Sequence, residues 1–193
     1  TGHKRLLYNT FIHLLRHNQK VPDSLLTIFA ANDKYRSELY KDLEKMKKLD
    51  KFPAAHKNQL SIARSMLLSS STRYDRMDTV SFIDKLPVTY EKKKGWVYFF
   101  RYKRMRDDAA WQVASIGMQP EKLSEIDIDN DDFVIRDDHK LENDKPVKVQ
   151  LEQILKEMLY SRRTSASNFY EARSYSLYKN YLSEMVKSQR YRD

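Results

Sequence analysis

The chain has 193 residues, a formal net charge of +9 and a pI of about 9.5. It contains no cysteine and only three glycines, which excludes disulfide scaffolds, cysteine-ligated metal centres, thiol nucleophiles and glycine-rich phosphate loops. No apolar run approaches the roughly 18–20 residues of a membrane helix, so we expect no membrane insertion. The start at Thr1 rather than Met indicates a piece of a longer or processed protein. The compartment stays open: the cytoplasm is slightly favoured, and an upstream signal peptide is compatible with the sequence.

The first third of the chain is predicted to be helical. Apolar residues such as Leu7 and Phe11 recur at helical spacing, and Pro22 can open a second helix. Asn32 is the predicted N-cap of a third helix, and Pro53 the predicted start of a fourth. Short amphipathic helices joined by brief turns favour stacked helical hairpins, although no consensus repeats between the pairs.

A serine-rich stretch at residues 69–72 is the predicted domain boundary, because the apolar period changes after it. It separates a helical, hairpin-repeat-like segment over residues 1–72 from an α+β domain over residues 73–193. In the second domain, residues 96–103 are rich in aromatic side chains with high strand propensity. Residues 110–118 are the predicted returning strand of a β-hairpin.

The register of this hairpin is predicted by placing Lys103 opposite Ala110. Gly95 is expected to supply the positive φ of the preceding turn. A further strand is predicted to begin at Val80, with Pro87 confining it to a sheet edge or a bend. With Lys103 opposite Ala110, and because side chains alternate along a strand, one face of the hairpin would show Trp96, Tyr98, Phe100, Tyr102, Trp111 and Val113.

Two helices are predicted after the sheet. Asp144 and Pro146 signal the start of the first, and a tyrosine-rich stripe from Tyr175 to Met185 marks the second. The order of elements predicts an α+β fold with N-terminal helical hairpins, a central antiparallel β-meander and C-terminal helices packing on the sheet.

The net charge is distributed unevenly along the chain. Residues 121–145 hold ten acids against four bases, a local net charge of −6, which leaves +15 on the remainder. Residues 85–106 hold eight bases against the single acid Glu91. This asymmetry indicates an interaction surface or two regions that attract each other. Lysine-rich turns that only keep a hairpin soluble are the favoured explanation.

The basic, aromatic hairpin is the sharpest functional feature of the sequence. Proteins that bind single-stranded nucleic acids combine aromatic stacking platforms with cationic grooves. A hydrophobic core is favoured over such a platform, because aromatic residues at period two usually lie under packed helices. In the nucleic-acid-binding alternative, the contacting residues would be Lys92, Lys93, Lys94, Tyr98, Arg101, Tyr102, Lys103, Arg104, Arg106 and Trp111.

An acidic segment partly matches a calcium-binding loop. Asp127, Asp129 and Asp131 occupy positions one, three and five of such a loop. Asp132 stands where the loop requires Gly, and Asp138 replaces the bidentate Glu. A solvated acidic loop is therefore favoured over a weak divalent-cation site.

Two histidines lie one helical turn apart. His13 and His17 are at positions i and i+4 of the first predicted helix, which places both imidazoles on one face. Leu14 follows His13, so the zinc-protease motif is absent, and a third ligand from His3 or His56 would need a coincidence of the fold. Two solvated surface histidines are the favoured interpretation.

No constellation of residues predicts catalysis. The serines have no neighbouring histidine and no Gly-x-Ser-x-Gly elbow, and the carboxylates are too numerous to single out a pair. An enzyme is disfavoured, and no cofactor is predicted. The main hypothesis is a non-catalytic protein-interaction or structural domain of a larger protein, which binds flanking domains of that protein or another protein. The alternative is a nucleic-acid-binding module.

Overall fold

The computed structural model describes residues 2–69, 77–104, 111–130 and 140–160. In these residues, four α-helices and two 3₁₀ turns precede a three-stranded antiparallel sheet, and one more helix follows it. The predicted α+β class is confirmed. The chain divides into two compact units, residues 1–148 and residues 149–193. The predicted boundary stretch falls largely outside the described residues.

The N-terminal helices follow some of the sequence signals and depart from others. Helix α2 begins directly after Pro22, as predicted. Asn32 closes α2, and its Oδ1 also accepts from the Lys34 amide (3.0 Å) while its carbonyl accepts from the Arg36 amide (2.9 Å), so it caps the turn that leads into α3. The predicted start of α4 at Pro53 was wrong, because Asn58 accepts a hydrogen bond from the Ser61 amide (2.9 Å) and caps the helix there. The helices are α1 (Gly2–Arg16), α2 (Asp23–Ala31), α3 (Arg36–Lys45) and α4 (Gln59–Ser69).

The strands form a meander in the order β1-β2-β3, with β1 at one edge. Pro87 lies within this edge strand, and β3 ends at Pro120, both as predicted. An edge strand tolerates Pro87 because its missing N–H need not join the ladder. The strands are β1 (Met77–Tyr90), β2 (Lys93–Arg104) and β3 (Gln112–Pro120).

The predicted hairpin register was wrong by one residue. Phe100 pairs with Ala114 and Tyr98 with Ile116, whereas the prediction requires Val113 and Ser115 at those places. A one-residue shift transfers every side chain of one strand to the other face of the sheet. Ala114 and Ile116 therefore join Tyr98 and Phe100 in the core, and Val113 lies on the opposite face.

A hydrophobic core joins the four N-terminal helices to one face of the sheet. Helix α1 contributes Tyr8 and Phe11, which contact Phe29 of α2 with ring centroids 5.0 and 5.3 Å away. The sheet contributes Tyr98, Phe100, Tyr102, Ala114 and Ile116, all buried. The helices and this sheet face therefore stabilise each other.

A fifth helix spans residues 147–160 and begins directly after Pro146, as predicted. Its buried side chains are Leu151, Ile154, Leu155 and Met158, at helical spacing. The second predicted C-terminal helix lies outside the described residues. Among the helices that the structure describes, none is long and apolar enough to cross a membrane.

The turn between β1 and β2 is built from two non-glycine residues in the left-handed region. Tyr90 pairs with Lys93, and the two residues between them, Glu91 and Lys92, have φ values of 47° and 65°. A two-residue hairpin loop with positive φ at both positions is the arrangement that favours Asn-Gly. Gly95 lies inside β2, so its predicted role in the turn was wrong.

Replacing Glu91 by Asn together with Lys92 by Gly is expected to raise the free energy of unfolding by about 1 kcal/mol, because both residues are strained at positive φ. Urea denaturation measures this as a higher midpoint with an unchanged m value. The matched control is Glu91→Gln with Lys92→Gln, which removes the same charges without relieving the backbone. Equal midpoints for the two double variants would contradict the prediction.

Candidate binding surface on the β-hairpin

Three consecutive lysines lie at the β1–β2 turn. Lys92, Lys93 and Lys94 are all exposed. None of them forms an ion pair with the residues that the structure describes. These three residues, here named the turn lysines, therefore present an uncompensated positive charge to the solvent.

A fourth cation lies on the same hairpin, over an aromatic ring. The Lys85 Nζ is 4.4 Å from the centroid of the Trp96 ring and 5.9 Å from that of Tyr98. The half-buried Trp96 is fixed by its Nε1, which donates to the carbonyl of Glu121 at 3.0 Å. A cation over an indole face is held electrostatically by the ring quadrupole. The positive charge of Lys85 thus has a defined position at the sheet edge.

A second cation–aromatic cluster lies toward the other end of β2, where this strand pairs with β3. The Arg101 guanidinium is 4.7 Å from the Trp111 ring centroid, and the Lys103 Nζ is 5.2 Å from it. Arg101 is exposed, and the other two side chains are half-buried. We call these three residues the tryptophan cluster. The corrected register explains it, because this register places Trp111 beside Lys103 across the hairpin.

Two of the predicted nucleic-acid contacts lie in the core. Tyr98 is 3% exposed and Tyr102 is 1% exposed. The Tyr98 hydroxyl donates to the Gln59 Oε1 at 2.9 Å. Neither ring is available for stacking on a base in this structure. Arg104 ends β2, and Arg106 lies outside the described residues. Among the predicted side chains that the structure describes, the turn lysines and the tryptophan cluster are the accessible ones.

Burial raises the pKa of Tyr98 to about 12 from its ordinary value of 10.0. The protonated phenol is therefore favoured in the folded chain, and its contribution to stability is present below pH 10 and is lost as the pH rises to 12. We expect the stability of the wild-type chain to fall more steeply over this interval than that of Tyr98→Phe. Urea denaturation at several pH values measures both profiles. Parallel profiles would contradict the assignment.

The carboxylates of the acidic segment are held by protein donors. Asp127 accepts hydrogen bonds from the amides of Asp129 (3.0 Å) and Asn130 (3.1 Å). The Asp129 carboxylate forms an ion pair with Lys41 of α3. Asp131 lies outside the described residues. In the described part of the chain, no group of three or more His, Cys, Asp or Glu side chains is placed to hold a metal ion.

Two buried glutamines, which sequence reasoning missed, fix the segment that follows β3. The Gln59 Nε2 lies 2.9, 3.2 and 2.7 Å from the carbonyl oxygens of Pro120, Lys122 and Glu125. Gln119 donates to the carbonyl of Asp127 (2.5 Å) and accepts from its amide (3.1 Å). No local pattern marks Gln59, whose backbone partners lie 61 to 66 positions along the chain. Gln119 bonds the backbone of Asp127, eight positions away across an irregular loop, which no periodic pattern shows either.

The comparisons with known proteins give no guide to this surface. No protein-family model matches the chain, and neither the curated proteins nor the solved structures include a significant match.

Proposed function

We propose that the chain is a non-catalytic interaction domain that binds an acidic surface, on a flanking domain or on another protein, through the cations of its β-hairpin. The observation that carries the proposal is the turn lysines, which are exposed and have no ion-pair partner among the described residues. Three adjacent uncompensated ammonium groups attract and orient an acidic partner.

The buried polar side chains of the described core support a non-catalytic role. Arg36, Gln59 and Gln119 are all buried, and each hydrogen-bonds to backbone carbonyl groups. Groups that are committed to the backbone in this way stabilise the fold and are not free to act on a substrate. The exposed cations of the hairpin are not committed to the backbone in this way and are able to contact another molecule.

The strength expected of this surface follows from its exposure. A single exposed ion pair contributes only about 0.2–1 kcal/mol, so useful affinity requires several contacts at once. The three turn lysines are adjacent in the chain and all exposed, and they provide such a set. Screening by salt then weakens all of these contacts together.

The test uses fluorescent poly-glutamate as the acidic probe, titrated with the full chain at low and moderate salt. We expect measurable binding at low salt that falls steeply as salt is added. Replacing all three turn lysines by Glu should abolish it. The matched control replaces Lys20, Lys51 and Lys57, which are also exposed, by Glu. No binding by the wild type at low salt, or equal loss in the two triple variants, would overturn the proposal.

Single-stranded nucleic acid is the second candidate partner, and the tryptophan cluster favours it. An indole beside two cations can combine base stacking with phosphate contacts. Each phosphate contact to a single strand contributes about −0.7 to the slope of log K against log salt. Loss of the turn lysines should therefore reduce the slope for single-stranded RNA by about 2.

Replacing Trp111 by Leu separates the two candidates. It should weaken RNA binding at least tenfold if bases stack on this ring, and it should leave poly-glutamate binding unchanged. RNA binding that is absent at low salt, or that is unaffected by the loss of Trp111, would exclude the nucleic-acid candidate.

A further inference from the structure

We infer that His13 and His17 form a bidentate site for a divalent transition-metal ion on the outer face of α1. This site is independent of the hairpin surface proposed above. Both side chains are exposed, and their ring centroids are 4.5 Å apart with an angle of 53° between the ring planes. Within the described part of the chain, neither imidazole ring forms a hydrogen bond or an ion pair. Both rings are therefore free to turn a nitrogen toward a shared ion.

The ring separation indicates which metals fit. With a metal–nitrogen bond of about 2.0–2.1 Å, an ion lies about 3.2 Å from the centroid of each imidazole that binds it. Two centroids 4.5 Å apart then subtend an angle of about 90° at the ion. A tetrahedral angle would need centroids about 5.2 Å apart. An angle of 90° is that of neighbouring ligands in square-planar or octahedral sites, the geometries typical of Cu²⁺ and Ni²⁺.

The backbone beneath the two histidines is held in place from the opposite side. Phe11, Ile12 and Leu15 are buried side chains of α1 and belong to the hydrophobic core. His13, in contrast, is exposed to the solvent. The His17 amide donates to the His13 carbonyl at 3.2 Å, so helical spacing continues through the pair although α1 ends at Arg16. A chelate whose backbone is already ordered loses less entropy when it binds.

The end of α1 is fixed by a further contact. The Lys48 Nζ donates to the carbonyl of Leu15 (2.5 Å) and to the Asn18 Oδ1 (2.7 Å). These bonds anchor the turn on both sides of His17.

The experiment uses the full chain with His3, His56 and His139 replaced by Asn, which leaves His13 and His17 as its only histidines. Isothermal titration with Ni²⁺, and separately with Cu²⁺, should show one ion per chain. In this background, replacing either remaining histidine by Asn should weaken binding at least tenfold. Replacing both should weaken it little further, because a chelate is lost with its first ligand.

Thermal unfolding gives a second readout. Ni²⁺ should raise the melting temperature of the background variant, since the ion binds a spacing that exists only in the folded helix. It should not raise that of the variant lacking His13. Two ions per chain, equal affinity after loss of one histidine, or no binding by the background variant would each overturn the inference. Circular dichroism of the single variants checks that α1 still forms.

Discussion

Replacing Arg36 by Met is expected to lower the free energy of unfolding by about 3–5 kcal/mol, because it leaves several buried acceptors without a donor. Arg36 is 6% exposed. Its guanidinium donates to the carbonyls of Ala30 (2.6 Å), Ala31 (3.0 Å) and Ser61 (3.0 Å). The first two are orphan carbonyls at the end of α2, and the third belongs to α4. One side chain thus joins the ends of two helices, and urea denaturation will measure its loss.

Two control variants separate the hydrogen bonds of Arg36 from its charge. Arg64→Met removes a half-exposed guanidinium that contacts the same Asp33 carboxylate, and it should cost less than about 1 kcal/mol. Arg36→Lys keeps the charge but lacks the planar fork of donors, so its cost should lie between the other two. A loss for Arg36→Met no larger than that for Arg64→Met would show that the buried carbonyls find other donors.

The elements that the sequence predicts correctly are those with strictly local causes. Helix α2 begins after Pro22, β3 ends at Pro120 and the helix over residues 147–160 begins after Pro146. Proline fixes its own φ and lacks an N–H, so these boundaries do not depend on distant residues. The aromatic strand was equally predictable, because the propensity of its side chains is local.

The features that sequence reasoning missed depend on contacts between distant residues. The hairpin register is set by β1 and β3 together, and the turn at Glu91 and Lys92 carries no Asn-Gly signal. The Arg36 guanidinium donates to the carbonyls of Ala30 and Ser61, and no local preference shows these contacts. Tertiary contacts of this kind override local propensity.

In the candidate binding surface, too, the features with local causes could be predicted from the sequence and those that depend on distant contacts could not. The exposure of the turn lysines follows from their charge, which the sequence shows directly. The tryptophan cluster depends on the register, so a one-residue error placed Trp111 on the wrong face. The burial of Tyr98 arises from the fold: its ring joins the core and its hydroxyl donates to Gln59, 39 positions away in the chain.

Replacing Gly95 by Ala is expected to lower the free energy of unfolding by about 3 kcal/mol, because the added methyl group collides with the neighbouring strand. A Cβ at this position would lie 2.2 Å from the backbone oxygen of Gln119 and 2.5 Å from the Met118 Cγ. The backbone oxygen has little room to move, since the Gln119 side chain is bonded to both the amide and the carbonyl of Asp127. The strands must therefore separate to admit the methyl group.

Gly2→Ala is the matched control for this substitution. A Cβ at Gly2 would meet no other atom within 4 Å, so the change in stability should stay within about 0.5 kcal/mol. Urea denaturation compares the two variants, and hydrogen exchange should show faster opening between β2 and β3 in Gly95→Ala. Equal stability of the two variants would mean that β3 can shift away from Gly95 without cost.

Because Trp96 and the turn lysines lie beside Gly95, the same variant should also lose binding of acidic probes if the binding surface requires the paired strands.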